Sequence, residues 1–146
     1  MSAYELALLW SGAFLLVGML TGVWKYRCMM LSENAQAPTY VDIAHRTALM
    51  YSFASVVLAL LAERSAWSSG VNILGVWMAE LFFAAAVASY VVHGWLRDTD
   101  NQLQRPHKLG SAVLPNWVLS VFMYALIAAE IGGLLILLSG FVAGLR

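Results

Sequence analysis

Long apolar runs alternate with short polar segments along the whole chain. Four such runs occur, at residues 4–24, 43–62, 71–95 and 117–143. Each has at least about 20 residues, the length that an α-helix needs to cross about 30 Å of hydrocarbon. Membrane strands are a poor alternative, since no segment alternates between polar and apolar positions over about ten residues. The pattern therefore predicts an all-α integral membrane protein, a four-transmembrane-helix bundle that forms one domain over residues 1–146.

Composition and charge narrow the class of protein further. The chain is 62% hydrophobic and 11% charged, with a mean hydropathy of +0.76, whereas an average soluble domain carries about 25% charged residues. The net charge of zero argues against a nucleic-acid-binding surface. A single cysteine, Cys28, cannot form an intrachain disulfide. The first apolar run has no basic segment before it, which predicts a retained span instead of a cleaved signal peptide.

The basic residues predict the orientation in the membrane. Most of them fall in the two longer connections and the helix ends beside them: Lys25, Arg27, Arg46, Arg97, Arg105 and Lys108. Loops rich in lysine and arginine stay in the cytoplasm. We therefore expect cytoplasmic long loops and external termini, in a bacterial inner membrane.

The second long connection, residues 97–110, is the most polar stretch of the chain. Asp98 and Asp100 stand close in sequence to its basic residues, and we expect a solvated cluster of ion pairs, each worth little. His107 is likewise expected to face water. The chain has no glycine-rich phosphate loop, CxxC pair, HExxH or GxSxG motif, which argues against the common soluble enzyme classes.

Two histidines lie inside the predicted spans. His45 is near the start of the second span, and His93 is near the end of the third. Because the chain reverses direction between them, both are expected in the same cytoplasmic-side layer. A shared metal or haem would require this arrangement, since imidazole is a common axial ligand. The alternative is that each histidine makes a hydrogen bond near the membrane interface.

Two rows of small residues predict where helices approach closely. The row beside His45 consists of Ala48, Ser52, Ser55 and Ala59, and the row on the fourth span consists of Ala129, Gly133, Gly140 and Gly144. Membrane helices pack through such rows because apolar burial gives them no advantage over lipid. Beside His45 the small side chains would also leave room for a flat ligand.

Two carboxylic acids, Glu80 and Glu130, lie in the middle of the third and fourth spans. A carboxylate is costly near the membrane midplane, so we expect at least one of them to be protonated or paired. Together they would share a proton, relay one, or form an interhelical hydrogen bond. Tyr90 lies about 80° around the third helix from Glu80, a position from which it can share the same side.

The first two spans resemble those of a family of small membrane enzymes. The first span ends in LLVGMLTGVW, a polar connection follows, and Ala44 and His45 open the second span. With four spans in total, this pattern is similar to that of the styrene oxide isomerases and hydroxylaminobenzene mutases. The last two spans match the family in hydropathy alone. A second likeness, to small four-span membrane proteins of eicosanoid and glutathione metabolism, is one of size.

The resemblance to the isomerases implies haem b, a homo-oligomer and a small lipophilic substrate such as an aryl epoxide. By position His45 would be the metal ligand, and His93 is a second candidate cofactor-binding residue. The iron would act as a Lewis acid on a substrate oxygen. Tyr51, Glu80 and Tyr90 are the candidate catalytic residues, which would position the substrate or transfer a proton. Tyr51 stands where the isomerases carry an asparagine.

A non-catalytic function is the alternative interpretation. The chain would then be a haem- or quinone-linked membrane subunit, or an accessory protein for transport or assembly. His45 and His93 would bind a cofactor or make interfacial hydrogen bonds, and the two glutamates would be structural.

Overall fold

The computed structural model describes residues 1–145. Its elements are α1 (Ala3–Met30), α2 (Thr39–Glu63), α3 (Ser69–Leu96), β1 (Lys108–Leu109), β2 (Ala112–Val113) and α4 (Asn116–Gly144). Each of the four helices is long and apolar enough to cross a membrane, judged by length and composition. The prediction of an all-helical chain with four such helices is confirmed, and the two strands add only a small hairpin.

The helices extend beyond the apolar runs that predicted them. α1 begins at Ala3 because Ser2 and Glu5 form a capping box: the Ser2 hydroxyl accepts from the Glu5 amide at 3.1 Å, and the Glu5 carboxylate accepts from the Ser2 amide at 2.8 Å. These bonds satisfy amide groups that the start of a helix leaves free. α1 also continues to Met30, past the end of its apolar run, because polar residues such as Lys25 are good helix formers.

The helices run alternately up and down, so that the bundle has two distinct ends. At one, which we call the short-loop end, the turn at residues 64–68 meets the end of α4: the Ala66 amide donates to the Gly140 carbonyl at 3.0 Å. The other, the long-loop end, carries residues 31–38 and 97–115. The most extensive helix contact is between α1 and α2, followed by that between α3 and α4 and that between α2 and α3.

Small residues define the contacts between helices, as their spacing predicts. The row on α2 is buried throughout, and Ala48, Ser55 and Ala59 have no exposed surface. On α4 the backbone at Gly133 approaches α3 so closely that a Cβ atom there would lie 2.5 Å from the Gly75 carbonyl oxygen. The core therefore depends on backbone approach as much as on large apolar side chains.

A β-hairpin at the long-loop end folds back over the bundle. Lys108 pairs with Val113, and Leu109 pairs with Ala112, in antiparallel register. Gly110 lies in the turn with a φ of 62°, a conformation that glycine adopts without steric cost. α3 ends at Leu96, before this loop. The next residue, Arg97, has a φ of 50°, a left-handed conformation that ends the helix. The polarity of this segment did not predict the hairpin.

Candidate functional site

His45 lies against a notch in α1 at Gly22, one turn after Gly18. Its Nδ1 atom is 2.8 Å from the Gly18 carbonyl oxygen. A Cβ atom at Gly22 would lie 2.8 Å from Cε1 of the imidazole, so the ring fits because Gly22 has no side chain. Since a carbonyl oxygen only accepts hydrogen bonds, Nδ1 carries the proton and Nε2 of the neutral ring presents a lone pair.

The Nε2 atom of His45 remains available to a ligand. No hydrogen bond to this atom is found among residues 1–145, and it is not one of the fully buried polar atoms that lack a partner. His45 as a whole is half-buried. The ring is therefore fixed at one edge by α1 while its other nitrogen reaches the surface of the bundle.

This donor arrangement fits an axial ligand to haem iron. Histidines that bind metals through Nε2 usually donate from Nδ1 to a carbonyl or carboxylate, which fixes the ring and its tautomer. The Gly18 carbonyl performs this function for His45. His45 alone could hold a haem iron, since a single histidine is a known protein ligand of haem. Among residues 1–145 no group of three or more histidine, cysteine or acidic side chains is placed to hold a bare metal ion.

Ion pairs flank the His45 notch toward the long-loop end. Asp42 lies 2.6 Å from Lys25 of α1 and 3.1 Å from Arg46 of its own helix. Asp42 and Arg46 are four residues apart, a spacing that places both on one helix face. The ion pair between Asp42 and Lys25 joins α1 to α2 about one turn before His45. The ion pair between Asp42 and Arg46 gives the Arg46 side chain a partner.

His93 is held by a different set of groups. Its Nδ1 atom is 2.8 Å from the Asp98 carboxylate, and its ring centroid is 5.1 Å from that of Tyr40 on α2. The side chains of His93 and Asp98 are 8% and 3% exposed. His45 is thus bonded to α1, whereas His93 is bonded to the loop that follows its own helix. The two imidazoles have no common partner.

Two expectations for the polar loop are wrong. Asp98 is not part of a solvated cluster with the basic residues: it accepts from His93 and, at 2.6 Å, from the Gly110 amide. His107 does not face water, since it is 7% exposed and its Nδ1 atom lies 3.2 Å from the Gln102 carbonyl. Both residues are buried because the hairpin turns them inward, which their polarity alone did not indicate.

The surroundings of Asp98 favour its charged form. Burial opposes ionisation, but the hydrogen bonds from His93 and Gly110 outweigh it and lower the pKa of the Asp98 carboxyl below its usual value. An ionised carboxylate only accepts hydrogen bonds, so Nδ1 of His93 carries a proton. Asp98 thereby fixes the orientation of the His93 ring.

Replacement of Asp98 by asparagine is expected to remove stability that the protein has near neutral pH and loses in acid. A carboxyl with a lowered folded-state pKa stabilises the fold fully above its unfolded-state pKa of about 3.9. This contribution disappears as the pH falls through the folded-state pKa. The gap in thermal midpoint between wild type and Asp98→Asn, measured in detergent micelles, should narrow from about pH 6 to about pH 3. Asp100→Asn, at an exposed position, is the control; an unchanging gap for Asp98→Asn would contradict the assignment.

The two mid-helix glutamates are not bonded to each other. Glu80 has no exposed surface, and its Oε2 atom is 2.9 Å from the Ser55 hydroxyl on α2. The Ser55 hydroxyl is also 2.8 Å from the Tyr51 carbonyl oxygen. With one hydrogen, Ser55 makes both bonds at once when it donates to that carbonyl and accepts from a protonated Glu80. The interhelical bond that Glu80 makes at this depth is therefore to Ser55, and not to Glu130 as expected.

Tyr51, Glu80 and Tyr90 lie on the α2–α3 side of the bundle. The ring of Tyr51 stacks on that of Phe83 of α3, with ring centroids 4.0 Å apart. The ring of Tyr90 stacks on that of Tyr40 of α2, with ring centroids 5.9 Å apart. Six residues along a helix place Tyr51 about 120° around α2 from His45, and the ring of Tyr51 meets Phe14 of α1, with ring centroids 6.0 Å apart, and not the Gly22 position that accommodates His45. Within one chain the three candidate catalytic residues do not face the candidate iron ligand.

A second buried carboxyl completes this polar group. Glu130 lies near the middle of α4. Its Oε1 atom is buried without a hydrogen-bond partner among residues 1–145, as is Oε1 of Glu80. The interior of α2, α3 and α4 thus contains two acids and two phenols that are separate from His45.

The sequence indicated the reactive side chains and missed most of their partners. The Gly18 carbonyl belongs to the backbone, and Asp98 and His107 reach their positions through an unpredicted loop. The four-residue spacing of Asp42 and Arg46 is the exception, because it is the spacing of an ion pair along a helix.

Comparison of the chain with protein-family models, with curated proteins and with solved structures finds no match.

Proposed function

We propose that this chain is an integral membrane protein that binds haem b through His45 and isomerises a small lipophilic substrate such as an aryl epoxide. The observation that carries this proposal is the hydrogen bond of 2.8 Å from Nδ1 of His45 to the Gly18 carbonyl. When the ring is neutral, that bond fixes its orientation and leaves the lone pair on Nε2, which is not fully buried. The likeness of the first two spans to the styrene oxide isomerase family supplies the reaction class.

The outer surface of the bundle supports insertion into a membrane. Met50 and Phe53 are each 71% exposed, and Tyr124 is 75% exposed, all in the middle parts of helices. Exposure of apolar surface to water costs about 25 cal/mol per Å², a cost that acyl chains remove. The basic long-loop end would lie in the cytoplasm of a bacterial inner membrane, with the termini outside.

The chain itself would hold the cofactor through residues of α1 and α2. His45 would bind the iron through Nε2, Gly18 would hold the ring by its Nδ1 proton, and Gly22 would provide the space that the ring occupies. When bound, haem supplies a Lewis acid that polarises a substrate oxygen. Because Nε2 reaches the surface of one chain, we infer that a second copy covers the cofactor in a homo-oligomer.

A second candidate function is supported by the separation of the polar groups. Tyr51, Glu80 and Tyr90 face α3 and the bundle interior, whereas His45 faces α1. A non-catalytic haem- or quinone-linked subunit needs no acid or phenol beside its iron. In that function the glutamates and tyrosines hold the helices together.

Replacement of His45 by alanine is expected to abolish haem binding. The protein would remain in membranes after a carbonate wash, and wild type purified in detergent would show a Soret band in its visible spectrum. The band should be absent from His45→Ala and unchanged in His107→Gln, because His107 is bonded to a loop carbonyl at the other side of the bundle. A colourless wild-type preparation after growth with added haem, or an equal band in His45→Ala, contradicts the haem assignment.

Turnover then separates the two candidate functions. Conversion of an aryl epoxide by the wild type and not by His45→Ala supports the isomerase. A haem-loaded protein that leaves the epoxide unchanged but is reduced by a quinol supports the subunit. Isomerisation consumes no electrons, so activity without any added reductant is a further requirement of the first function.

A further inference from the structure

A cavity of about 230 Å³ lies at the long-loop end between α3, α4 and the hairpin. Its walls include Ala85, Ser89, His93, His107, Leu114 and Phe122. His45 does not line it. This cavity is therefore separate from the proposed haem site, and it joins two of the three histidines of the chain.

Both imidazoles in the cavity wall have their Nδ1 atoms engaged. His93 is bonded through Nδ1 to the Asp98 carboxylate at 2.8 Å, and His107 through Nδ1 to the Gln102 carbonyl at 3.2 Å. Since both partners accept, each Nδ1 carries a proton, and when the ring is neutral its Nε2 atom is an acceptor. No hydrogen bond to either Nε2 is found within residues 1–145, and neither is a fully buried atom without a partner. The cavity thus offers two acceptors to a ligand that donates.

The size and the other walls of the cavity limit the ligand to a small apolar body. Leu114, Val118 and Phe122 are among the lining side chains. An apolar cavity of about 150 Å³ holds benzene, so about 230 Å³ accommodates one substituted ring. The cavity also lies at the end of the bundle where amphipathic rings with a polar tip collect in membranes.

We propose that this cavity binds a phenol, with the ring against the apolar wall and the hydroxyl donating to Nε2 of His93 or His107. Asp98 is a positioning residue in this site, because it holds His93 in the tautomer that accepts. The Gly110 amide fixes Asp98 in turn at 2.6 Å. The proposal does not depend on haem, and it holds or fails independently of His45.

The direct test compares two ligands that differ in one hydrogen-bond donor. Protein labelled in its three histidine rings is titrated in detergent micelles with 4-methylphenol and with 4-methylanisole, and the ring signals are followed by NMR. We expect saturable shifts of the His93 and His107 signals with 4-methylphenol and no shift of the His45 signal. The methyl ether has the same ring and cannot donate, so its affinity should be at least about tenfold lower, the effect of one lost hydrogen bond.

Variants assign the acceptors. His93→Gln and His107→Gln are each expected to weaken 4-methylphenol binding about tenfold, whereas His45→Gln should leave it unchanged. Ala85→Leu fills the cavity from α3 without altering either imidazole and should abolish saturable binding. Helical circular dichroism reports whether each variant is folded, and the comparison of the two ligands on wild type needs no variant.

Asp98→Asn tests the tautomer itself. The NH₂ group of the asparagine must face either Nδ1 of His93 or the backbone N–H of Gly110, and in both places it would meet another donor. If it faces His93, the clash of two donors is relieved when Nδ1 of His93 becomes the acceptor and Nε2 carries the proton. The preference for 4-methylphenol over 4-methylanisole should then fall, a change that loss of structure alone would not produce. Equal affinities of the two ligands for wild type, shifts of all three histidines together, or wild-type binding in both His93→Gln and His107→Gln would overturn the proposal.

Discussion

Replacement of Gly133 by alanine is expected to destabilise the bundle by about 1–3 kcal/mol, the usual cost of overpacking. A Cβ atom at this position would lie 2.5 Å from the Gly75 carbonyl oxygen and 3.1 Å from the Ala79 amide nitrogen. Both are backbone atoms of α3, so they cannot rotate away as a side chain can. The helices must separate, and the contacts on both sides of Gly133 weaken.

Gly132 provides a matched control one residue away. A Cβ atom at Gly132 would meet only Cε of Met78, at 3.1 Å, and the end of a methionine side chain moves easily. Glycine to alanine within a helix is favourable by up to about 1 kcal/mol, a gain that applies to both positions. Gly132→Ala should therefore match or exceed the wild-type thermal midpoint in micelles, while Gly133→Ala falls below it. Similar midpoints for the two variants would show that α3 and α4 do not approach as described.

Removal of the Glu80 side chain is expected to destabilise the protein by about 2–5 kcal/mol, as for other large-to-small changes in a core. Glu80 has no exposed surface and is bonded to Ser55 on the neighbouring helix. Glu80→Ala leaves both a void and a hydroxyl with one partner fewer. Glu80→Gln should cost only about 1 kcal/mol, because its amide donates to Ser55 as a protonated carboxyl does.

The comparison between these Glu80 variants tests the protonation state. A loss in Glu80→Gln as large as that in Glu80→Ala would mean that the carboxyl is charged and accepts from Ser55. A double-mutant cycle with Ser55→Ala isolates the bond, and the two losses should be non-additive. Glu130→Gln is the control, since Oε1 of Glu130 has no partner and the change should shift the thermal midpoint little.

The four helices and their contacts were predictable because they depend on long, repeated signals. Four apolar runs set the helix count, and the spacing of Ala48, Ser52 and Ser55 located a buried face that the structure confirms. The ends of the helices were less predictable, since hydropathy marks the limits of the membrane and not of the hydrogen-bonded helix. The Ser2 and Glu5 pair was a local signal for the first residue of α1.

The site was predictable only in part. Ionisable side chains inside apolar runs identified His45 and Glu80 as residues that need a hydrogen-bond partner. Their partners are the Gly18 carbonyl and the Ser55 hydroxyl, which the sequence spacing does not specify. The polar loop was misjudged because polarity predicts exposure only when no other segment covers it. Asp98 and His107 are covered by a hairpin whose turn at Gly110 carries little sequence signal.

The double role of Asp98 has a mechanical consequence. One oxygen of its carboxylate is bonded to the imidazole at the end of α3, and the other to the Gly110 amide in the hairpin turn. The carboxylate therefore connects the end of α3 to the hairpin turn, and a hairpin that lifts must either break the bond from the Gly110 amide or draw Asp98 away from His93. Access to the bundle interior from the long-loop end would then depend on the hydrogen bonds of this one carboxylate.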